Sequence, residues 1–343
     1  MNNPLVSVNM VVYNGGQFIS DAIQSILNQT YSNFELIIVD DGSTDKTLVE
    51  IRNFIDPRIK LIKHKKNHGV VIARNTALKA SEGVYIAILD ADDISPPNRL
   101  EIELRFLEEN PEFGLIGGLA ELIDRNGEKK NRIQSLSLSP EETKVYLLFK
   151  NCFTHSTVMY KKELLKNFMF DKKLSGSEDY DVIVKISSDY KTKNLDKVLA
   201  QYRLHNNNIT RSTELINRNI RKIIIHQLSQ LGIEVNNKDI NIHLLLAKQL
   251  QHFDLQLILD MVDWLDRLNV ANKKENYFPK EAFYSRISGY WFNLMNNTEV
   301  YNYKLIQKYF NSPIRKNSDK STIDGIKFII KCILSRKFVT NKR

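Results

Sequence analysis

Apolar runs of four to seven residues alternate with stretches of helical period through the first 120 residues. Val6 to Val12 reads as a strand, and Phe18 to Leu27 as a helix with Ile19, Ala22, Ile23 and Ile26 on one face. Phe34 to Val39 predicts a second strand and Lys46 to Phe54 a second helix, with Ser43 or Thr44 available as its cap. A third pair follows, strand Ile59 to Ile62 and helix Gly69 to Ala80, and then a fourth strand, Val84 to Leu89. Pro96-Pro97 suits the first turn of a helix over Asn98 to Glu109. Strand–helix alternation of this kind predicts an α/β fold with a Rossmann-like, mostly parallel sheet flanked by helices.

The pattern loosens after Pro111. Phe113 to Ile123 reads as a strand entering a turn at Arg125-Asn126-Gly127, and polar sequence then runs to Pro140. A helix is expected over Glu141 to Phe149, a strand over Ser156 to Tyr160, a helix over Glu178 to Ser188 and a closing strand over Leu195 to Tyr202. From Ser212 onward the chain is helix-like, with a break expected over Asn269 to Lys280. This divides the chain into a domain over 1–211 and a helical extension over 212–343.

Charge sharpens that division. Residues 1–211 carry 28 basic and 28 acidic side chains; after Arg211 there are 21 against 12, a difference equal to the whole net charge of +9. The basic excess thus belongs to the extension and points to an anionic partner there or to a solvated basic tail. Ile323, Ile326, Ile329, Ile330, Ile333 and Leu334 share one helical face bordered by Lys327, Lys331, Arg336 and Lys337. Such a helix fits contact with a membrane surface, or docking on the preceding helices with its lysines in water. No basic–aromatic surface of the kind that reads nucleic acid is present. Trp264, Tyr290 and Trp291 read as packing residues rather than a sugar platform.

The start Met1-Asn2-Asn3-Pro4 has no signal-peptide pattern, and no apolar run approaches 18 residues. Two cysteines, Cys152 and Cys332, lack metal-site spacing. A cytoplasmic protein is the expectation, peripheral at the inner face of the membrane if the basic helix binds lipid.

Chemistry concentrates at strand ends. Ala87-Ile88-Leu89 runs into Asp90-Ala91-Asp92-Asp93, three carboxylates in four positions. They repel one another unless a cation is present, and oxygen ligands select a hard divalent ion. Alone, the triplet fits a metal site or an acidic surface turn equally. Three further loops follow strands of the same sheet: Tyr13-Asn14-Gly15-Gly16, Asp40 to Asp45, and Asn67-His68-Gly69. All should share one rim, where open α/β sheets bind ligands. Glycines admit a backbone close to phosphates, an aromatic can stack on a base, and carboxylates accept from a base or ribose. Together they predict a nucleotide-diphosphate site.

In order and spacing, Ser7-Val8 through Tyr13-Asn14, Val39-Asp40-Asp41-Gly42-Ser43-Thr44-Asp45, Ala73-Arg74-Asn75 and Leu89-Asp90-Ala91-Asp92-Asp93 resemble the family 2 glycosyltransferases, over roughly residues 4–211. The resemblance implies the GT-A fold, a nucleotide-sugar donor (commonly UDP-linked), a divalent metal (Mn2+ or Mg2+) and inversion at the anomeric carbon. It implies that Tyr13 and Asn14 flank the base, that Asp41 contacts the uracil ring and that Asp40 supports the loop. Arg74 falls near the base or diphosphate, with helix-surface hydrogen bonding as its plain alternative. Asp90 corresponds to the ribose-side Asp of the DxD motif and Asp92 to the metal-binding Asp. Asp93 lies against the donor sugar or behind the metal.

Ser177-Glu178-Asp179-Tyr180, at a helix start, reads alone as a cap. The resemblance makes Asp179 the catalytic base of an inverting transfer and Glu178 an acceptor contact. Arg203 and His205, past the last predicted strand, are candidates for the departing diphosphate and a metal ligand, respectively. His205 is otherwise a surface loop residue. His155 is a weaker candidate for the acceptor pocket, and His64 and His68 read as surface residues. The expected partners are a nucleotide-sugar and a glycan or lipid-linked glycan, as in bacterial surface polysaccharide synthesis.

Two rival functions share parts of this pattern. A nucleotidyltransferase would carry a basic phosphate loop after the first strand, where Tyr13-Asn14-Gly15-Gly16 has no basic residue. A non-catalytic nucleotide- or sugar-binding protein would not need Asp41, Asp90, Asp92 and Asp179 together.

Overall fold

A computed structural model describes residues 3–166, 169–205, 213–248, 253–296 and 303–314. The chain divides into two compact units, one of residues 1–144 with 151–220, the other of 145–150 with 221–343.

The first unit begins with the expected alternation: β1 (Val6–Val12), α1 (Ile19–Leu27), β2 (Phe34–Asp40), α2 (Thr47–Arg52), β3 (Ile59–Lys63), α3 (Val70–Ala80), β4 (Tyr85–Ile88) and α4 (Arg99–Glu109). It continues through β5 (Phe113–Ile123), β6 (Lys129–Gln134), α5 (Pro140–Tyr146), β7 (Met159–Lys161), α6 (Glu178–Asp189) and β8 (Lys191–Arg203). These strands form one sheet in the order β3-β2-β1-β4-β7-β5-β6, with β8 paired to β5.

β1 pairs in parallel with β2 and β4, and β2 with β3. β7 then enters antiparallel to both β4 and β5, and β6 is antiparallel to β5. The sheet is therefore mixed, parallel only in its first four strands and in the β5–β8 pair. β1 is buried on both faces, as a central parallel strand must be. Val6, Val8 and Met10 pack with Ile19, Ala22, Ile23 and Ile26 of α1 and with Leu100 and Leu104 of α4. Ile37 and Val39 of β2 pack on the other face with Ala73 and Ala77 of α3.

Several boundaries differ from the pattern. The polar stretch after Gly127 contains β6, whose residues are all exposed, so no alternation marks it. β8 starts at Lys191 rather than Leu195. Neither Ser43 nor Thr44 caps α2; the Asp45 carboxylate accepts from the Thr47 amide instead, at 2.9 Å.

α7 (Thr213–Ser229) runs across the division of the chain. The second unit holds α8 (Asn237–Lys248), α9 (Leu255–Glu275), α10 (Lys280–Asn296) and α11 (Tyr303–Asn311). The break expected from Asn269 shrinks to Asn276–Pro279, because Leu268, Asn269 and Asn272 are buried on a helix that ends at left-handed Asn276. Trp264 and Trp291 are fully buried, which agrees with their reading as packing residues. Phe149 stacks on His243 at 4.7 Å, so residues 145–150 belong with these helices. The basic amphipathic segment at 323–338 and Cys332 lie outside the described residues.

Candidate active site

The carboxyl ends of β1 to β4 share one rim, and side chains from their loops interlock there. β4 pairs with β1 only as far as Asn9, so the two strands part where the sheet order reverses, which is where open α/β sheets bind ligands. Tyr13, beyond β1, is 48% exposed and available to a flat ligand. Asn14, left-handed at φ 52°, accepts from the Thr44 amide at 2.9 Å, and its own amide donates to Ser43 Oγ at 2.9 Å.

Asp40 is buried and accepts from the Ser43 amide at 3.0 Å, which supports the loop. The Asp41 carboxylate is turned to the third loop: His64 Nδ1 donates at 2.6 Å, and the His68 and Gly69 amides donate at 3.0 and 2.8 Å. His64 is thus not the surface residue expected from sequence: its side chain is 14% exposed and bonded to Asp41. Gly42 sits between these loops at φ +77°, and a Cβ there would lie 2.5 Å from the Lys66 backbone. Only glycine fits that turn.

The acidic turn is held from below by a 3-10 turn, His155–Thr157. Ser156 Oγ donates to Asp93 Oδ2 and accepts from the Asp90 amide. No motif pointed to Ser156, which lies 63 residues from its partner Asp93. Asp93 is 1% exposed and also accepts from the Arg203 amide at 2.8 Å. Burial, with the charges of Asp92 and Asp90, pushes its carboxyl well above the ordinary range. Asp92 is raised for the same reasons, while His205, at 2.7 Å from its Oδ2, opposes the shift. Asp90 goes the other way. Burial raises it, but His155 and Arg74 outweigh that and hold it below the usual carboxylate range.

Asp92 and His205 therefore present an oxygen and a nitrogen donor side by side at the rim, with Phe18 stacked on the imidazole at 4.9 Å. Among the described residues no group of three or more His, Cys, Asp or Glu is placed to hold a metal alone. The pair nonetheless fits a hard cation that takes its remaining ligands from phosphate oxygens and water. His155 is nine-tenths buried, with Nδ1 3.8 Å from Asp90 Oδ1, so it stands beside the donor-side carboxylate.

Arg203 does not reach outward as expected for a diphosphate contact. It is 1% exposed, its Nε and Nη1 donate to the carbonyls of Asp92 and Arg125 at 2.8 and 3.0 Å, and its Nη2 meets Asp21 at 3.0 Å. It braces the acidic turn. Arg74 is likewise committed, with Nη1 on Glu178 Oε1 at 2.5 Å and Nη2 on Asp90 Oδ1 at 3.2 Å. Burial favours its neutral form, but Glu178, Asp90 and Asp179 together drive its pKa upward. Glu178 is buried, and its second oxygen accepts from the Gly176 amide. The carboxylate expected to touch an acceptor is thus occupied. Asp179, in the first turn of α6, is half-buried and lies 3.5 Å from Asn151 Nδ2.

A rim with an exposed aromatic and an oxygen–nitrogen pair in a self-repelling acidic turn has the chemistry to take a cation and a phosphate-bearing ligand. The glycosyl transferase family 2 model matches residues 7–169. An uncharacterized glycosyltransferase of Methanocaldococcus jannaschii is 37% identical over 60% of this chain and 73% of its own. WfgD of Escherichia coli, a UDP-Glc:α-D-GlcNAc-diphosphoundecaprenol β-1,3-glucosyltransferase, is 34% identical over 72% of this chain and 92% of its own. Among solved structures, S. aureus TarS 1–349 with UDP-GlcNAc aligns at 21% identity and a TM-score of 0.56, over 83% of this chain and 92% of that one. The mannosyltransferase PcManGT of Pyrobaculum calidifontis, with GDP-Man and Mn2+, aligns at 18% identity and a TM-score of 0.52, over 100% and 89%. The fold is the GT-A fold of these enzymes. The chain belongs to glycosyltransferase family 2.

Proposed function

We propose that this glycosyltransferase moves a sugar from a UDP-linked donor to a hydroxyl of a lipid-linked glycan, with inversion, and that a divalent cation is required. The carrying observation is the pairing of Asp92 with His205 beside a raised, self-repelling acidic turn, facing the loops of β1 to β3. Asp92 and His205 would hold Mn2+ or Mg2+, which would supply positive charge to the donor diphosphate. The Mn2+ in PcManGT and the UDP-sugar in TarS 1–349 support that reading, and the lipid-linked acceptor of WfgD supports the acceptor class.

Tyr13 flanks the base, while Asn14, Asp40 and Asp41 shape the loops around it. Asp90 faces the ribose, and His155 lines the same wall. Asp179 takes the proton of the acceptor hydroxyl as that oxygen bonds the anomeric carbon, whose bond to the diphosphate breaks on the opposite face. The transferase domain is the first unit with its rim, and the helical second unit serves the acceptor or a membrane surface. No described helix is long and apolar enough to cross a membrane.

Asp179→Asn keeps the side chain's shape and removes the base. UDP affinity by calorimetry should stay within about threefold, while transfer should fall by about 10²- to 10⁴-fold. Unchanged transfer would remove Asp179 from the role.

A further inference from the structure

Arg74 lies on α3 and Glu178 in the first turn of α6, 104 residues apart, and their side chains are 12% and 2% exposed. The same guanidinium holds Asp90 at the end of β4. It lies over Phe170 at 5.8 Å, and the next residue, Asn75, clasps the backbone of Phe170, donating to its carbonyl at 2.9 Å and accepting from its amide at 3.2 Å. Beyond that clasp, the Ser175 carbonyl accepts from Asn219 at 2.9 Å, and the Gly176 amide donates to Glu178 Oε2 at 2.6 Å. The approach to α6 is therefore fastened at successive points, and the last is the ion pair. The remaining donor of Arg74, Nε, is buried without a hydrogen-bond partner at a small enclosed space shared with Asn9, Val11, Ile88, Asp90 and Phe170. Both terminal nitrogens of this guanidinium are thus engaged by carboxylates, and its side chain is only 12% exposed.

We propose that the Arg74–Glu178 pair is a brace that fixes the start of α6, and with it Asp179, against the Asp90 turn. Arg74 and Glu178 are then positioning residues for transfer, and neither touches donor or acceptor. The proposal rests on the transferase reading above, because it sets the distance between the base and the bound donor. A base displaced by about 1 Å costs on the order of 10²-fold in rate, with little effect on donor binding. Both charges are buried, so each needs the other, and the two should act as a unit.

The test uses full-length wild type, Glu178→Gln, Arg74→Lys, the double variant Arg74→Met/Glu178→Met, and Asp179→Asn. UDP affinity with Mn2+ is measured by calorimetry, UDP release from UDP-glucose and UDP-N-acetylglucosamine by rate, and folding by thermal melting. Glu178→Gln should slow release by about 30- to 100-fold, with UDP affinity within about threefold. Arg74→Lys, which keeps the charge but loses the fork, should recover part of that rate. The double variant should be no slower than the worse single loss. Tenfold weaker UDP binding with unchanged turnover would put the pair in the donor site and overturn the brace. Unchanged turnover and affinity together would overturn it as well. If Glu178→Gln does not fold, Arg74→Lys decides by the same split of rate from affinity. Failure of the transferase reading has its own signature: wild type that releases no UDP, or Asp179→Asn as fast as wild type. The brace would then fall with it, having no reaction to position.

Discussion

The rim of the first unit and the core of the helical second unit both bury polar groups, but they stabilise them differently. In the second unit His243 is enclosed, with Nε2 donating to the Leu148 carbonyl at 2.9 Å and Nδ1 accepting from Trp264 at 3.2 Å. Burial lowers its pKa to about 4, so it stays neutral and serves packing. At the rim, Asp90, Asp92 and Asp93 cannot all be relieved within the fold. Asp90 is satisfied by Arg74 and His155, while Asp92 and Asp93 stay raised. A neutral buried histidine marks a finished core, and an acidic turn left under repulsion marks a site that expects a ligand.

The sharpest way to break this comparison is Asp92→Ala, which removes an oxygen donor and relieves the repulsion. Transfer should fall by at least about 10³-fold, from the loss of charge stabilisation at the diphosphate. Melting should hold or rise, because a raised carboxyl is removed. A melting temperature that drops with activity would make Asp92 structural.

Gly42→Ala tests the loops that carry Asp41. The added Cβ meets the Lys66 backbone at positive φ, so we expect destabilisation of about 1–3 kcal/mol and weaker UDP binding together. Undisturbed UDP binding would detach the Asp41 loop from the nucleotide.

The smallest effect on transfer is expected away from the rim. A histidine whose folded pKa is about 4 binds fewer protons folded than unfolded between pH 6.5 and 4. Its stabilisation is full above pH 6.5 and declines as pH falls toward 4, by about 3 kcal/mol in all. His243→Phe should flatten the acid limb of a denaturation series over that window. An unchanged slope there would contradict the neutral, enclosed histidine.

Much of this was legible in the sequence because the parallel half of the sheet has a local code. β1 to β4 are short segments rich in apolar residues, and each leads into a motif that its loop needs, from Tyr13-Asn14 to Asp90-Ala91-Asp92-Asp93. The antiparallel half has no such code. β6 is polar throughout, and nothing in Met159–Lys161 says that it will insert between β4 and β5. Side-chain roles were hardest to read where partners are far apart. Arg74 and Arg203 look like phosphate contacts by position, yet both are buried on carboxylates or carbonyls from other loops. His64 reads as a surface residue, yet it bonds Asp41, 23 positions away. Ser156 carried no motif, and its hydroxyl holds the Asp93 carboxylate and the Asp90 backbone amide.

The central claim is that the rim is a metal-dependent nucleotide-sugar site. Its most direct measurement is UDP release from a panel of UDP-sugars by the wild-type protein, with Mn2+ and then with excess chelator. A preferred donor turned over with Mn2+, silenced by chelator and restored by added metal is the expected result. Turnover that persists undiminished in chelator would contradict the account.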